Sequence, residues 1–338
     1  MKTMRLSLVA AALTCTLAVP AMANDINVKV SGRAHLSVDH LNDGQDSGLN
    51  VSSNSSRLRF AASTEVAEGL EVVMQLEQNI RYDQRGGEFA SRDSFLGLKG
   101  DFGLVRVGYF DTPLKAVRSR TDMFGDRIGD ARNITSGPGM SFDNRYRNGI
   151  HYRSPSMSGV TFDFQYTPNN ATDTTVTNDR ESFSTSLSYR ADGLFAVAAY
   201  ETYEGNDGVD PTAFRLGLTY DISKALKVAA FYQNATDIPG GDRNVWGFGA
   251  SYKMEDYTLR GQFYQASDND SSDTGANMMV VGVDRSFGRA LTMYLAYGLT
   301  SNDDAAAFTI ASGGRDTRLP AIAGENSSGL SLGMIYNF

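Results

Sequence analysis

Cysteine is nearly missing: Cys15 is the single one in 338 residues, and it falls inside an N-terminal stretch that reads as a removable leader. That excludes a disulfide scaffold, a zinc ribbon and a thiol enzyme. Histidine is almost as scarce, with only His35, His40 and His151, which leaves little for a hydrolytic triad. Beyond the leader there is no long apolar run, and the mean hydropathy is −0.30. A bundle of membrane helices is thereby excluded, but a membrane barrel is not, because its strands carry their apolar half in alternation. Positive charge is in deficit, 31 basic against 39 acidic residues, so nucleic acid is not an expected partner. No G-x-x-x-x-G-K-[ST] phosphate loop and no metal-ligand cluster occurs, so no cofactor and no metal are expected.

The leader is MKTMRLSLVAAALTCTLAVPAMA. Lys2 and Arg5 precede an apolar run from Leu6 to Val19, and Ala21-Met22-Ala23 supplies a small-x-small cleavage site, the layout of a secretory signal peptide. The run is shorter than the ~20 residues a spanning helix needs. Residues 1–23 are read as a cleaved signal and 24–338 as one barrel domain.

From Asn27, NVKVSGRAHLSVDH places Val28, Val30, Gly32, Ala34, Leu36 and Val38 on one face and Lys29, Ser31, Arg33, His35, Ser37 and Asp39 on the other. A period of two is a strand with one apolar side. The pattern returns as Val160, Phe162, Phe164, Tyr166, as Phe214, Leu216, Leu218, Tyr220, as Trp246, Phe248, Ala250, Tyr252, and in further runs. No helical period matches it. Many apolar rows finish on Tyr or Phe, as an aromatic girdle at a lipid headgroup boundary requires. The opposite rows are polar or small, such as Ser184, Ser186, Ser188 and Gly247, Gly249, Ser251. The fold class is all-β, a transmembrane antiparallel up-and-down barrel of about sixteen strands at ~10 residues each.

Connections come in two sizes. Ala191-Asp192-Gly193 and Gly100-Asp101-Phe102-Gly103 are short, whereas TPNNATDTTVTNDR, ASDNDSSDTGAN and the stretch Ser301–Asn326 are long and polar. Outer-membrane barrels have this asymmetry between their two ends. Glycine pairs such as Gly86-Gly87 and Gly240-Gly241 are hairpin chemistry. Charged rows must face the lumen, since an Arg near mid-membrane costs ~2–4 kcal/mol; this assigns Arg33, Arg57, Arg59, Arg106 and Arg147 to the inner wall. The final row Leu330, Leu332, Met334, Tyr336, Phe338 is the expected closing strand against the first.

These residues resemble the trimeric general porins of Gram-negative outer membranes. The similarity covers essentially the whole chain after the leader and is densest in SRLRFAASTEVAEGLEVVMQLEQ, RDSFLGLKGDFGLVRVGYFDTPLK, RNGIHYRSPSMSGVTFDFQY and the terminal strand. The resemblance implies a passive diffusion channel for small hydrophilic solutes and ions, a homotrimer surrounded by outer-membrane lipid and lipopolysaccharide, and a terminal Tyr336/Phe338 signal read by the barrel assembly machinery. It also implies that a third loop, here about 112–145, folds inward as a constriction. Its acids Asp122, Asp126 and Asp130, with Arg127 and Arg132, would face wall arginines, and Arg57 and Arg145 match the family's wall positions. An arginine that the family often carries before this loop is Tyr109 here, and the enterobacterial Pro-Glu-Phe motif is absent.

Between Thr112 and Thr135, Lys115, Arg118, Arg120, Arg127 and Arg132 outnumber Asp122, Asp126 and Asp130. The constriction is expected to be mildly anion-preferring or nearly unselective. Two rivals remain in view. A wall enzyme would need a Ser–His–acid set at the rim, yet His35 and His151 fall on lumenal rows and His40 ends the first strand. A non-conducting receptor or adhesin would use the outer loops, where Asp268, Asp270 and Asp273 are read as solvated in preference to holding a divalent cation or bridging lipopolysaccharide.

Overall fold

The computed structural model describes residues 25–84, 89–170, 180–205 and 208–338. The leader with Cys15, the pair Gly86-Gly87 and most of the TPNNATDTTVTNDR loop lie outside the described residues. The strands are β1 (Asn27–Asn42), β2 (Ser47–Ser53), β3 (Arg57–Ala67), β4 (Leu70–Asn79), β5 (Ser94–Gly100), β6 (Gly103–Asp111), β7 (Arg145–Arg153), β8 (Val160–Thr167) and β9 (Ser182–Ala191). They continue as β10 (Leu194–Tyr203), β11 (Thr212–Asp221), β12 (Leu226–Thr236), β13 (Arg243–Met254), β14 (Tyr257–Ala266), β15 (Ala276–Phe287), β16 (Leu291–Asn302) and β17 (Ser327–Asn337). Two helices, α1 (Pro113–Thr121) and α2 (Arg132–Thr135), lie between β6 and β7.

The strands pair antiparallel, and the ring closes where β17 pairs with β1; β2 is paired along one side, with β1. Both β2 and β3 pair with β1, the first along Leu36–Asn42 and the second along Asn27–Arg33. They are two halves of one stave, and the wall is a closed barrel of 16. The stave breaks at His35, whose N donates to the Ser56 side-chain Oγ (2.9 Å) in place of a ladder partner, while its O accepts from Asn54 N (2.8 Å). Ser55 there takes a positive φ of 52°, which bends the strand.

Alternation decides what meets lipid. On β17 Leu330, Leu332, Met334 and Tyr336 are exposed, while Ser331 and Ile335 are buried inside. Phe338 closes the seam by exchanging backbone hydrogen bonds with Gly32 (2.8 and 3.1 Å). Its ring packs on that glycine, where a Cβ would stand 2.3 Å from Phe338 Cζ. No helix among the described residues is long and apolar enough to cross a membrane. The crossing elements are the strands, whose outward rows of Val, Leu, Phe and Tyr are exposed.

The inner rows carry gaps for other parts of the chain. Gly217, Gly249 and Gly282 are seats: a Cβ on them would meet Val117, Met123 and Phe124 at 2.8, 2.7 and 3.0 Å. These partners belong to the segment between β6 and β7, which lies inside the barrel. A correction concerns Ser301–Asn326, read above as a long polar loop. Phe308, Ile310 and Ala311 within it are buried against that inner segment. Short turns at one end and longer connections at the other are otherwise as expected, although 43–46 and 237–242 are compact members of the long-loop end.

Candidate functional site

The inward segment, residues 112–144, begins with a capped helix. Thr112 accepts from Lys115 N (3.2 Å), Pro113 occupies the first turn, and Arg118 and Arg120 end the helix, where a cation meets the negative end of the dipole. α1 packs on the inner faces of β8 to β12. Beyond it, Met123 N donates to Gln262 Oε1 (2.8 Å) and Gln262 Nε2 donates to Gly129 O (2.7 Å) on β14's side. Arg127 reaches Asp284 on β15 (2.6 Å). Asp126 then faces Arg33 on β1 (3.5 Å) and Arg57 on β3 (4.0 Å). The segment therefore crosses the interior from one wall to the other.

Gly129 makes the crossing possible, with φ of +69° and no room for a side chain, since a Cβ would lie 2.0 Å from Val280 Cγ2. The clamp at the segment's base is Arg215 of β11. Its guanidinium grips both carboxylate oxygens of Asp143 (3.0 Å each), and it also donates to Leu114 O (3.3 Å) and Gln233 Oε1 (2.7 Å).

The three acids spaced by four do not form one row. Asp122 is buried and accepts from Phe124 N (2.8 Å), Ala131 N (3.0 Å) and Arg118 (3.2 Å). Asp130 is also buried, held by Arg132 (2.6 Å). Both shape the segment itself, contrary to the expectation that they face wall arginines; an irregular chain, not a helix, runs through 122–131. Asp126 alone among the three fronts the wall. Arg127 is likewise corrected: it is buried over the Tyr294 ring (4.1 Å) and tied to Asp284, away from the opening. Arg132 holds Asp126 (2.6 Å) as well as Asp130.

On the wall, Arg33 and Arg57 sit where alternation placed them. Arg59 pairs with Glu77 (2.5 Å), which Arg92 also holds (2.7 Å), forming a cation–anion–cation ladder. Arg106 lies over the Phe110 ring (4.1 Å) and donates to His151 Nδ1 (3.2 Å). Arg145 pairs with Asp93 (2.5 Å) and Asp111 (3.0 Å). Arg147 departs from the expectation. The β6–β7 register shifts between Gly108 and Phe110, opposite Arg147 and Asn148, and this bulge turns Tyr146 inward to Glu201 (2.9 Å) in its stead. Arg147 is exposed and has no ion pair among the described residues.

His35 meets Tyr294 Oη (2.9 Å) and Arg33 (3.3 Å), and His151 meets Asp163 (2.9 Å) and Arg106. Among the described residues no serine hydroxyl engages either ring. His40 is exposed on the outer row. Asp268 accepts from Thr274 N and Gly275 N (2.8 Å each), shaping its own turn.

Electrostatics hold the crossing in place. Burial alone would raise Asp126, but Arg132, Arg33 and Arg57 outweigh it and keep the carboxyl well below its usual range. Asp143 is held low in the same way, by Arg215 and Arg118 against burial. Asp122 goes the other way: burial, then the nearby Asp130, push it up to about 7 against Arg118. Linkage gives the signs. The stabilisation from Asp126 and Asp143 is complete above the ordinary carboxylate range and is lost progressively as the pH falls through that range toward their lowered values. That from Asp122 is complete at acid pH and fades as pH rises through about 7. Limited proteolysis of the segment in the folded barrel is expected to be slower at pH 5.5 than at pH 7.5; the opposite order would contradict the assignment for Asp122.

The inturned 303–326 loop escaped the sequence reading. Gly129 N donates to Ile310 O (2.7 Å), and Asn133 Oδ1 accepts from Ser312 N (3.0 Å) and Gly313 N (2.7 Å). Arg315 pairs with Asp39 in full burial. The run Ala305 to Ala311, apolar except for Thr309, in an otherwise polar loop was the available signal.

Comparison with known proteins agrees with this architecture. A family model described as Gram-negative porin matches residues 8–305. The major outer membrane protein P.IB of Neisseria gonorrhoeae is 30% identical over 207 residues, covering 58% of this chain and 56% of the relative. The chain thus spans about half the length of the gonococcal relatives it matches. The P.IB protein of Neisseria sicca is 26% identical over 336 residues, covering 87% of this chain and 93% of the relative. Among solved structures, an anion-selective porin from Comamonas acidovorans superposes with a TM-score of 0.81 at 21% identity, covering 93% of this chain and all of that one.

Proposed function

The chain belongs to the Gram-negative porin family, and from that premise we propose that it is a passive diffusion channel through which small hydrophilic solutes and ions cross the outer membrane. Its place is the outer membrane of a Gram-negative bacterium. One observation carries the reading: residues 112–144 cross the lumen and bring Asp126 against Arg33 and Arg57 at 3.5 and 4.0 Å. That contact fastens the segment to the wall and narrows the lumen beside it, and the charged side chains left along the margin set the field that orients water and dipolar solutes and filters ions. The 112–144 segment acts as the screen and Arg33, Arg57, Arg59, Arg92, Arg132 and Arg145 as its basic margin.

Anion preference is the sign this arrangement favours. Asp122, Asp130 and Asp143 are consumed inside the segment, so few free carboxylates confront the passage, and a porin of similar fold from Comamonas acidovorans is described as anion-selective. In a KCl gradient across a planar bilayer the reversal potential is expected on the anion side. Asp126→Asn should raise the anion-to-cation permeability ratio about twofold by unmasking Arg33 and Arg57. Strong cation preference in the unmodified protein would overturn this.

The assembled form follows the family: a homotrimer embedded in lipid and lipopolysaccharide, delivered by cleavage after Ala23 and inserted by assembly machinery that reads the terminal strand. Tyr336 and Phe338 stack at 5.9 Å on the outer face of that strand, accessible for such reading. Conductance in three equal steps supports the whole scheme, and a silent bilayer would favour a receptor or adhesin.

A further inference from the structure

At the long-loop end of the passage, a recess of about 560 Å³ is lined by Arg81, Arg92, Arg132, Arg145, Arg315 and Arg318. Among the described residues Asp316 is the one carboxylate on its lining, with Asp83 engaged by Ser53 N (2.9 Å) nearby. Several pieces of chain meet there: Ser55 between β2 and β3, the connection from β4 to β5, the crossing segment with the start of β7, and the inturned 303–326 loop. Without that last loop, Arg315 and Arg318 would be elsewhere and the recess would be open.

Four of these guanidinium groups are pinned from behind. Glu77 holds Arg92 at 2.7 Å, Asp126 holds Arg132 at 2.6 Å, Asp93 holds Arg145 at 2.5 Å, and Asp39 holds Arg315. Pinning leaves N–H groups free while removing the side-chain entropy that a ligand would otherwise have to overcome. Arg81 and Arg318 are exposed and have no ion pair among the described residues. Arg315 is buried against Asp39, and among the described residues its Nε and Nη1 have no hydrogen-bond partner, nor do Asp316 Oδ2 and Asp83 Oδ1.

We propose that this recess is a binding station for small solutes bearing two or more oxyanion groups, carboxylate or phosphoryl, with Arg81 and Arg318 as the residues that select them. The proposal rests on the channel reading and deepens it. A single halide would feel only the summed field. A multiply charged oxyanion can take several guanidinium forks at once, each pair of bonds charge-assisted and planar. The recess is far larger than a halide and accommodates such a molecule whole. Solutes of this class would dwell at the outer end before passing Asp126.

The test uses the folded full-length barrel after removal of the leader, with tripolyphosphate and citrate as the two probes. Added on the long-loop side, tripolyphosphate is expected to interrupt KCl current in the unmodified channel, and the double variant Arg81→Gln/Arg318→Gln to raise the half-blocking concentration by at least about tenfold. Lys99→Gln/Lys227→Gln removes equal charge from exposed residues beside the short turns and should leave the block unchanged. Block by both probes supports the shared oxyanion chemistry, and block by tripolyphosphate alone restricts it to phosphoryl groups. No block in a channel that conducts, or equal block with and without Arg81 and Arg318, overturns the station while sparing the channel. Calorimetric titration of the same probes into the detergent-folded protein reads binding independently of current. Heat there that vanishes in the double variant would keep the station even were the bilayer silent, and its absence from the unmodified protein would overturn it.

Discussion

Arg215→Ala should loosen the crossing segment and enlarge the single-channel conductance, with a noisier open state and a lower thermal transition. Arg215 is fully buried, and its guanidinium joins Asp143 and Leu114, the two ends of the segment, to β11. Removing one partner of a buried pair leaves the other charge uncompensated, at a cost of about 3–5 kcal/mol. Asp143 keeps Arg118 (3.1 Å), Thr135 (3.0 Å) and Ser136 (2.7 Å), so the lower end of that range, ~3 kcal/mol, is expected. The loss concerns the segment's seat and not the ladder of the wall, so the barrel should still fold and still resist denaturation by detergent until heated. Single-channel recording beside a double-mutant cycle with Asp143→Ala separates the pair's coupling from the side chains' separate costs. Conductance and stability both unchanged would show that the segment is not held there.

Leu295→Arg carries the second large effect. Leu295 lies near the middle of β16, 46% exposed on the outer face, and its neighbour Ala296 is buried inside. If lipid covers that face, an arginine there costs ~2–4 kcal/mol near the bilayer midplane, enough to depress folding into liposomes severely. Ala61→Arg is the matched comparison. Ala61 lines an inner recess with Lys29 and Gln75, where water can solvate the charge, and a cost under ~1 kcal/mol is expected. Urea titration of folding into vesicles, read by the shift in gel mobility on boiling, measures both. Equal costs at the two positions would mean that the face is not in hydrocarbon.

Strand positions and facing were legible because the constraint behind them is local and repeated: each outward row must be apolar along its own length, so Trp246, Phe248 and Tyr252 announce themselves without reference to any other strand. The seam between β1 and β17 was legible for a related reason, since an unclosed edge in lipid leaves backbone groups without partners. The interior was read less well. Whether Asp122 faces the wall or its own loop depends on Arg118, Phe124 N and Ala131 N, and whether Arg127 lines the passage depends on Asp284 far along the chain. Such choices are made by packing between distant segments and leave no period in the sequence. Arg147 was misplaced because one residue of bulge reverses a row, which strict alternation cannot anticipate. The glycines at 217, 249 and 282 did carry a signal: an inner row of missing side chains marks where something else must sit.

The pairing of Arg33 with Asn337 and of Gly32 with Phe338 joins positions some three hundred residues apart. No early fragment of such a ring can hide its unpaired margins, and contacts so distant form slowly. The nascent polypeptide must therefore travel through water as an open, adhesive ribbon until its final residues arrive. Escort during transit is, on this account, a requirement written into the topology itself.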